Sequence, residues 1–149
     1  MGDISLYETI FLIHYISTLI MTGAIWRAQL SNYPLLVYVG RKNFIRYEHE
    51  HIRRISHIAW FIIYVELITS VLLLINTRLN AGILFVGFIL ILIIWSATWF
   101  IQYPIHKKLE NGFDKKLHSR LVNSNWIRTI AWTTRACLLT YILTQFIKF

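Results

Sequence analysis

Four long apolar segments alternate with polar and charged stretches along this chain. The segments cover residues 6–26, 58–75, 81–103 and 126–147. Each is close to the roughly 20 residues that a helix needs to cross a bilayer. The pattern predicts an all-α membrane protein, a four-helix transmembrane bundle in which residues 1–149 form a single domain.

Polar stretches connect these spans, and their charge predicts the orientation. The segments 27–57 and 104–128 hold twelve of the 15 basic residues of the chain. By the positive-inside rule, both connections, predicted as cytoplasmic loops over 27–57 and 104–125, lie in the cytoplasm, and both termini lie outside. The residues before the first span include Asp3 and no basic residue, so we expect a retained helix rather than a cleaved signal peptide. The polar stretch 76–80 predicts a turn between the second and third spans.

Composition narrows the possible chemistry. The chain is 56% hydrophobic and 15% charged, with a formal charge of +8. Topology and anionic lipid headgroups explain the basic excess, so no nucleic-acid partner is expected. The single Cys137 excludes a disulfide within the chain and a cysteine-only metal site. Nucleotide-binding and common hydrolase motifs are absent from the sequence.

The two halves of the sequence resemble each other, which predicts two pseudo-repeated helical hairpins. Each half has a tryptophan three residues before a glutamine, then a tyrosine–proline pair, then a tryptophan where the chain re-enters the membrane. These residues are Trp26, Gln29, Tyr33, Pro34 and Trp60 in the first half, and Trp99, Gln102, Tyr103, Pro104 and Trp132 in the second. Recurrence of aromatic residues at membrane interfaces is the alternative explanation. We expect each proline to end its helix, and residues 44–57 to run as one helix into the second span.

Ionisable residues inside the apolar segments are candidates for function, because their burial in lipid is costly. They are His14 in the first span, Glu66 in the second and Arg135 in the fourth. Glu66 and Arg135 lie at matching depths, roughly 12–14 Å from the cytoplasmic end at ~1.5 Å per residue, which predicts an ion pair. Two interpretations stay open: the pair holds the bundle together, or it lines a ligand site.

A second group of candidates lies near the cytoplasmic surface, around the string Glu48-His49-Glu50-His51. Helical spacing places Glu48 and His51 on one face and His51 above Glu66. The predicted constellation surrounds a pocket at the cytoplasmic interface and contains His51, Glu66, Gln102, His106, Arg128 and Arg135. Glu66 or a histidine would accept a proton, and Arg128 or Arg135 would stabilise an anionic oxygen.

Cofactor binding is a further hypothesis for these residues. We predict cofactor contacts from His51, His106, Gln102 and His14. His51 and His106 are the candidate ligands of a transition metal or a haem. The alternative is that the charged segments simply contact lipid headgroups.

Two strings in the second half, residues 99–112 and 125–132, carry a resemblance to known proteins. Together with Tyr33-Pro34, His51 and Glu66, they resemble a group of small bacterial four-helix integral membrane proteins without an assigned activity. More remotely, the layout is similar to the anthrone-oxygenase-like membrane family, through Pro104 at the third span and Arg128-Thr129 at the fourth. That resemblance implies oxidation of polycyclic aromatic compounds without a conventional cofactor, and a bacterial inner (plasma) membrane location.

Two functions follow as the main hypotheses. The first is a binder of a quinone-like or polycyclic molecule, with oxygenase- or oxidoreductase-like activity. The second is a non-catalytic accessory subunit of a larger electron-transfer or pigment complex, or a homo-oligomer, since the chain is 15% aromatic and has no sizeable domain outside the membrane. A small transporter is a third, less favoured class.

Overall fold

A computed structural model describes residues 5–76 and 80–146 of the protein. These residues form four long helical rods, each a helix or a run of consecutive helical segments. Their segments, in chain order, are α1 (Leu6–Arg27), a first π turn (Ala28–Asn32), α2 (Tyr33–Leu35), a 3-10 turn (Leu36–Tyr38), α3 (Arg41–Ile75), α4 (Ala81–Ala97), a second π turn (Thr98–Gln102), α5 (Tyr103–Leu109) and α6 (Lys115–Phe146). The α1 helix packs against α3 and α6, and α4 packs against the same two helices. The rods therefore surround a common interior.

Three rods are long and apolar enough to cross a membrane: Leu6–Tyr38, Arg41–Ile75 and Ala81–Leu109. The fourth, α6, has 32 residues but is less apolar, because it carries Arg128, Arg135 and several threonines. Both arginines point into the bundle, where they are buried. The all-helical class is thus confirmed within the described residues, and three of the four predicted spans are long and apolar enough to cross a membrane.

The prediction that each proline ends its helix is wrong. The chain stays helical through Pro34 and Pro104, because each proline follows a π turn. There the N–H of the residue before proline bonds five residues back, Tyr33 to Ala28 and Tyr103 to Thr98. A wide turn of this kind admits one extra residue, which relieves the clash that a proline ring makes with the preceding turn.

Most of both predicted loops is helical rather than irregular. Residues 44–57 belong to α3, as predicted, and α3 is continuous into its apolar segment. The chain reversals between Tyr38 and Arg41 and between Leu109 and Lys115 are short, and each contains a glycine with positive φ, Gly40 at 77° and Gly112 at 139°. A residue with a side chain is strained at such angles. Of the predicted turn over 76–80, residues 77–79 lie outside the described residues; Asn80 caps α4 by accepting the Ile83 N–H at 3.2 Å.

The interior is layered along the bundle axis. One apolar cluster fills the end near the two reversals and includes Phe44, Leu109 and Leu121. A second fills the opposite end and includes Phe11 and Leu73. Buried polar side chains lie between them, namely His14, Ser17, Thr18, Glu66, Thr69, Ser70 and Arg135. A polar layer in the middle of an apolar rod bundle requires dense hydrogen bonding, since unpaired polar groups are costly there.

Candidate functional site

The polar layer centres on the Glu66–Arg135 ion pair. Arg135 Nη1 lies 2.6 Å from Glu66 Oε1, and both side chains are at most 2% exposed. Thr18 Oγ1 donates to the same carboxylate oxygen at 2.7 Å, and Trp132 Nε1 donates to Oε2 at 3.0 Å. The carboxylate thus accepts three hydrogen bonds from three side chains on two other helices, α1 and α6. The ion pair predicted from matching depth is present.

His14 extends this layer on the side of α1. Its Nδ1 lies 2.8 Å from Thr69 Oγ1, whose own proton goes to the Val65 carbonyl at 2.6 Å. Thr69 therefore accepts from Nδ1–H, which leaves Nε2 as an acceptor 3.4 Å from Arg135 Nη2. Arg135 also donates to Thr18 Oγ1 at 3.2 Å. We call the set His14, Thr18, Glu66, Thr69, Trp132 and Arg135 the mid-bundle network.

A separate chain of four polar side chains lies nearer the reversals. His106 Nδ1 is 2.6 Å from Glu48 Oε1, and Glu48 is fully buried. His106 Nε2 is 3.3 Å from the Tyr33 hydroxyl, and Arg128 Nη2 donates to that hydroxyl at 3.1 Å. We call Glu48, His106, Tyr33 and Arg128 the relay, because consecutive members are joined by hydrogen bonds. Each of these four residues comes from a different helical rod.

The relay is consistent with one arrangement of protons. A carboxylate at Glu48 accepts from His106 Nδ1–H, so Nε2 is free to accept from the Tyr33 hydroxyl. That hydroxyl can donate to His106 while its oxygen accepts from Arg128. The negative charge of Glu48 and the positive charge of Arg128 then balance across two uncharged residues, which lowers the cost of burying both.

Arg128 is held in place by amides rather than by an acid. Asn125 Oδ1 accepts from Arg128 Nε at 2.9 Å, and Asn125 Nδ2 donates to Gln29 Oε1 at 2.9 Å. Thr98 Oγ1 is a further acceptor, 3.5 Å from Arg128 Nη1. Within the described residues no carboxylate lies at ion-pair distance from this buried guanidinium. A buried guanidinium without a direct ion-pair partner is an attractive site for a ligand oxygen.

A cavity of about 220 Å³ adjoins the relay. Tyr33, His106 and Arg128 lie on its wall, and most of the remaining wall is aliphatic or aromatic, such as Met21, Ile63 and Trp132. The cavity is somewhat larger than an engineered ~150 Å³ protein cavity that holds benzene. Its dimensions and lining therefore suit a small aromatic molecule with few polar groups.

The wall of the cavity reaches the outside of the bundle and the mid-bundle network. Ile20 of α1 and Ile58 of α3 line it and are 53% and 66% exposed, so the cavity opens between these two helices. Trp132 lines it from within and donates its indole N–H to Glu66. A ligand would therefore enter from the side of the bundle and lie against the ring of Trp132.

The predicted constellation divides into two groups. His51, Gln102, His106 and Arg128 line the cavity together. Glu66, Arg135 and His14 are instead part of the mid-bundle network and are not among the lining residues. The prediction of one continuous site is corrected accordingly, because the Trp132 side chain lies between the groups.

His51 and His106 do not form a metal site in this arrangement. Both ring nitrogens of His106 are engaged, by Glu48 and Tyr33. His51 stacks on Tyr47 with ring centroids 6.0 Å apart. Among the described residues no three acidic, histidine or cysteine side chains converge as metal ligands, so the donor set does not fit the predicted metal.

Two relay members, Tyr33 and Glu48, were not among the predicted site residues. Signals for both are in the sequence. Tyr33 belongs to the repeated tyrosine–proline pair, and Glu48 shares a helix face with His51. Their chemical role depends on contacts with His106, which is 73 and 58 residues away in sequence.

Comparisons of the chain with protein-family models, with curated proteins and with solved structures found no match. The functional conclusion therefore rests on the geometry of the relay and its cavity.

Proposed function

We propose that this protein binds a small lipophilic aromatic molecule, quinone-like or phenolic, in the cavity between its helices. The ligand oxygen is held and exchanges a proton at the relay. The observation that carries this proposal is the position of the Tyr33 hydroxyl, which lies between His106 Nε2 and Arg128 Nη2 on a mostly apolar wall.

Each relay member has a distinct part in this proposal. Glu48 orients His106 by accepting its Nδ1–H, so that Nε2 can accept a proton from Tyr33. Arg128 stabilises negative charge on the Tyr33 oxygen or on a ligand oxygen beside it, in surroundings that exclude water. The site can thus take a proton from a phenol, or give one to a carbonyl oxygen. Oxygenase- or oxidoreductase-like chemistry would use this step, since removing a proton makes an aromatic hydroxyl compound easier to oxidise.

The surroundings that we propose are a bacterial plasma membrane crossed four times, with both termini outside. Support for α6 as the fourth span comes from its packing. The two arginines within residues 126–147, Arg128 and Arg135, are buried in the bundle, whereas Ile127 and Ile130 are exposed. The charged side chains of this segment therefore point away from the surrounding lipid. Lipophilic ligands would then reach the opening between α1 and α3 from the lipid.

Calorimetric titration of the full chain in mild detergent tests the proposal. We choose 2-naphthol as the probe, because it has two fused rings and one phenolic oxygen. The variant Tyr33→Phe is expected to weaken its binding about tenfold, the effect of one net hydrogen bond of about 1.4 kcal/mol. Tyr141→Phe is the control, since Tyr141 is exposed on α6 and does not line the cavity.

The result that would contradict the proposal is a wild-type protein that does not bind 2-naphthol, or equal weakening in both tyrosine variants. Copurification of fixed partner subunits with a protein that binds no aromatic probe would favour the alternative, a non-catalytic accessory subunit. The numerous outward apolar side chains, Phe61 and Phe100 among them, are compatible with either lipid or subunit contacts.

A further inference from the structure

Gln102 has a buried amide oxygen that no described residue uses. The side chain is 1% exposed and lies on the cavity wall. Its Nε2 donates to Ser124 Oγ at 2.9 Å, whereas its Oε1 accepts no hydrogen bond within the described part of the chain. A buried acceptor without a donor costs about 1–3 kcal/mol, so this atom calls for an explanation.

Ser124 determines which way the amide of Gln102 points. The Ser124 hydroxyl donates its proton to the Arg120 carbonyl at 2.6 Å. Its oxygen can therefore only accept from Gln102, which requires the NH₂ group of the amide to face Ser124. The carbonyl oxygen then faces away from Ser124, and exchanging the two amide atoms would place two acceptors against each other.

The corresponding glutamine of the first half, Gln29, has hydrogen-bond partners for both atoms of its amide. Gln29 donates from Nε2 to the Val122 carbonyl at 3.2 Å. Its Oε1 accepts from Asn125 at 2.9 Å and from Thr129 at 3.4 Å. Gln29 is not among the residues that line the cavity. Of the two repeat glutamines, the one with the unused acceptor is the one on the cavity wall.

Gln102 is close to the relay along its own rod. It lies four residues after Thr98, which contacts Arg128, and four residues before His106. All three line the cavity, which places them along one side of the rod. The wall therefore combines a hydrogen-bond donor at Arg128 with a fixed acceptor at Gln102.

We infer that Gln102 Oε1 accepts a hydrogen bond from a hydroxyl group of the ligand, and that the site selects phenols or hydroquinones over fully oxidised quinones and aryl ethers. A quinone has only acceptor oxygens and would leave Oε1 unpaired. A hydroxylated ligand satisfies both kinds of wall group, since its oxygen accepts a hydrogen bond from Arg128 and its hydroxyl group donates one to Gln102 Oε1. This inference rests on the proposed function and names the ligand class of the same cavity.

The test compares 2-naphthol with 2-methoxynaphthalene, which keeps the oxygen lone pairs and has a methyl group in place of the hydroxyl proton. In the wild-type chain we expect 2-naphthol to bind about tenfold more tightly, as one net hydrogen bond of about 1.4 kcal/mol requires. Gln102→Met should bring this ratio close to one. Gln29→Met, the matched control, should leave the ratio unchanged even if it lowers stability.

A second variant keeps the test decisive if Gln102→Met does not fold. Ser124→Ala removes the acceptor that fixes the amide, so the amide can rotate and the preference for 2-naphthol should fall. If both probes bind the wild type equally, or if the ratio persists in Gln102→Met or in Ser124→Ala, the inference is overturned while the proposed function stands. If neither probe binds the wild type, the proposed function fails and the inference fails with it.

Discussion

The contacts of the mid-bundle ion pair indicate how much stability the protein should lose when the pair is broken. In Glu66→Gln the carboxylate becomes an amide of nearly the same volume, and Arg135, 1% exposed, loses its only ionic partner within the described residues. All three groups that contact Glu66 are donors, so the new NH₂ group would also face a donor. Breaking one side of a buried ion pair typically costs about 3–5 kcal/mol, and we expect a loss of stability in this range.

Replacing both partners should reverse most of this loss. In the double variant Glu66→Gln/Arg135→Met the uncompensated cation is gone, and buried pairs replaced by uncharged residues are often neutral for stability. The control is Glu110→Gln, which removes a surface ion pair to Lys107 and should change stability by less than about 1 kcal/mol. The measurement is the free energy of unfolding in detergent, followed by the loss of helical circular dichroism with increasing denaturant.

Binding of 2-naphthol to the same samples tests the interpretation further. If the pair is structural, Glu66→Gln lowers stability, and the protein that remains folded still binds. Unchanged stability together with lost binding would refute this reasoning and return Glu66 to the ligand site, the alternative that the sequence left open.

Two further predictions concern α6. Asn125→Ala leaves Gln29 without its main donor and removes an acceptor of the buried Arg128, so it should destabilise the protein by about 1–3 kcal/mol. The control Asn123→Ala changes an exposed residue and should have little effect in the same unfolding assay. Cys137 is exposed on α6 and is expected to face lipid. A membrane-permeant apolar maleimide should therefore label Cys137 in sealed vesicles. A charged maleimide should label it only after detergent is added. Labelling by the charged reagent in intact vesicles would contradict a spanning α6.

Depth and periodicity in the sequence were sufficient to predict the rods and the ion pair. Apolar length locates the helices, and the equal depth of Glu66 and Arg135 follows from a fixed rise per residue. Periodicity along α3 also placed His51 on the interior side of a continuous helix.

Predictions from the local sequence around each proline were wrong, because the backbone forms a π turn there. Proline was expected to end each helix, but a π turn before Pro34 and Pro104 absorbs the steric conflict and keeps the rods helical. The residue pattern around a proline does not distinguish a π turn from a helix end. The continuation of each helical rod past its proline matters for the site, because Tyr33 and His106 lie just beyond the two π turns and line the cavity.

Long-range pairing could not be predicted from spacing on single helices. The contact between Glu48 and His106 joins α3 to α5, and the division between cavity and mid-bundle network depends on where the Trp132 ring lies. The sequence predicted the correct residue types near one another in depth but merged two groups that the packing separates.

Photo-crosslinking tests the central claim, that the cavity beside the relay is a ligand site, most directly. A naphthol derivative with an azide group would be irradiated with the full-length protein, and the adducts would be located by mass spectrometry. The account predicts adducts on cavity residues such as Met21, Ile52 or Trp132, and their suppression by excess 2-naphthol. Adducts confined to outward residues such as Phe100, and insensitive to 2-naphthol, would contradict it.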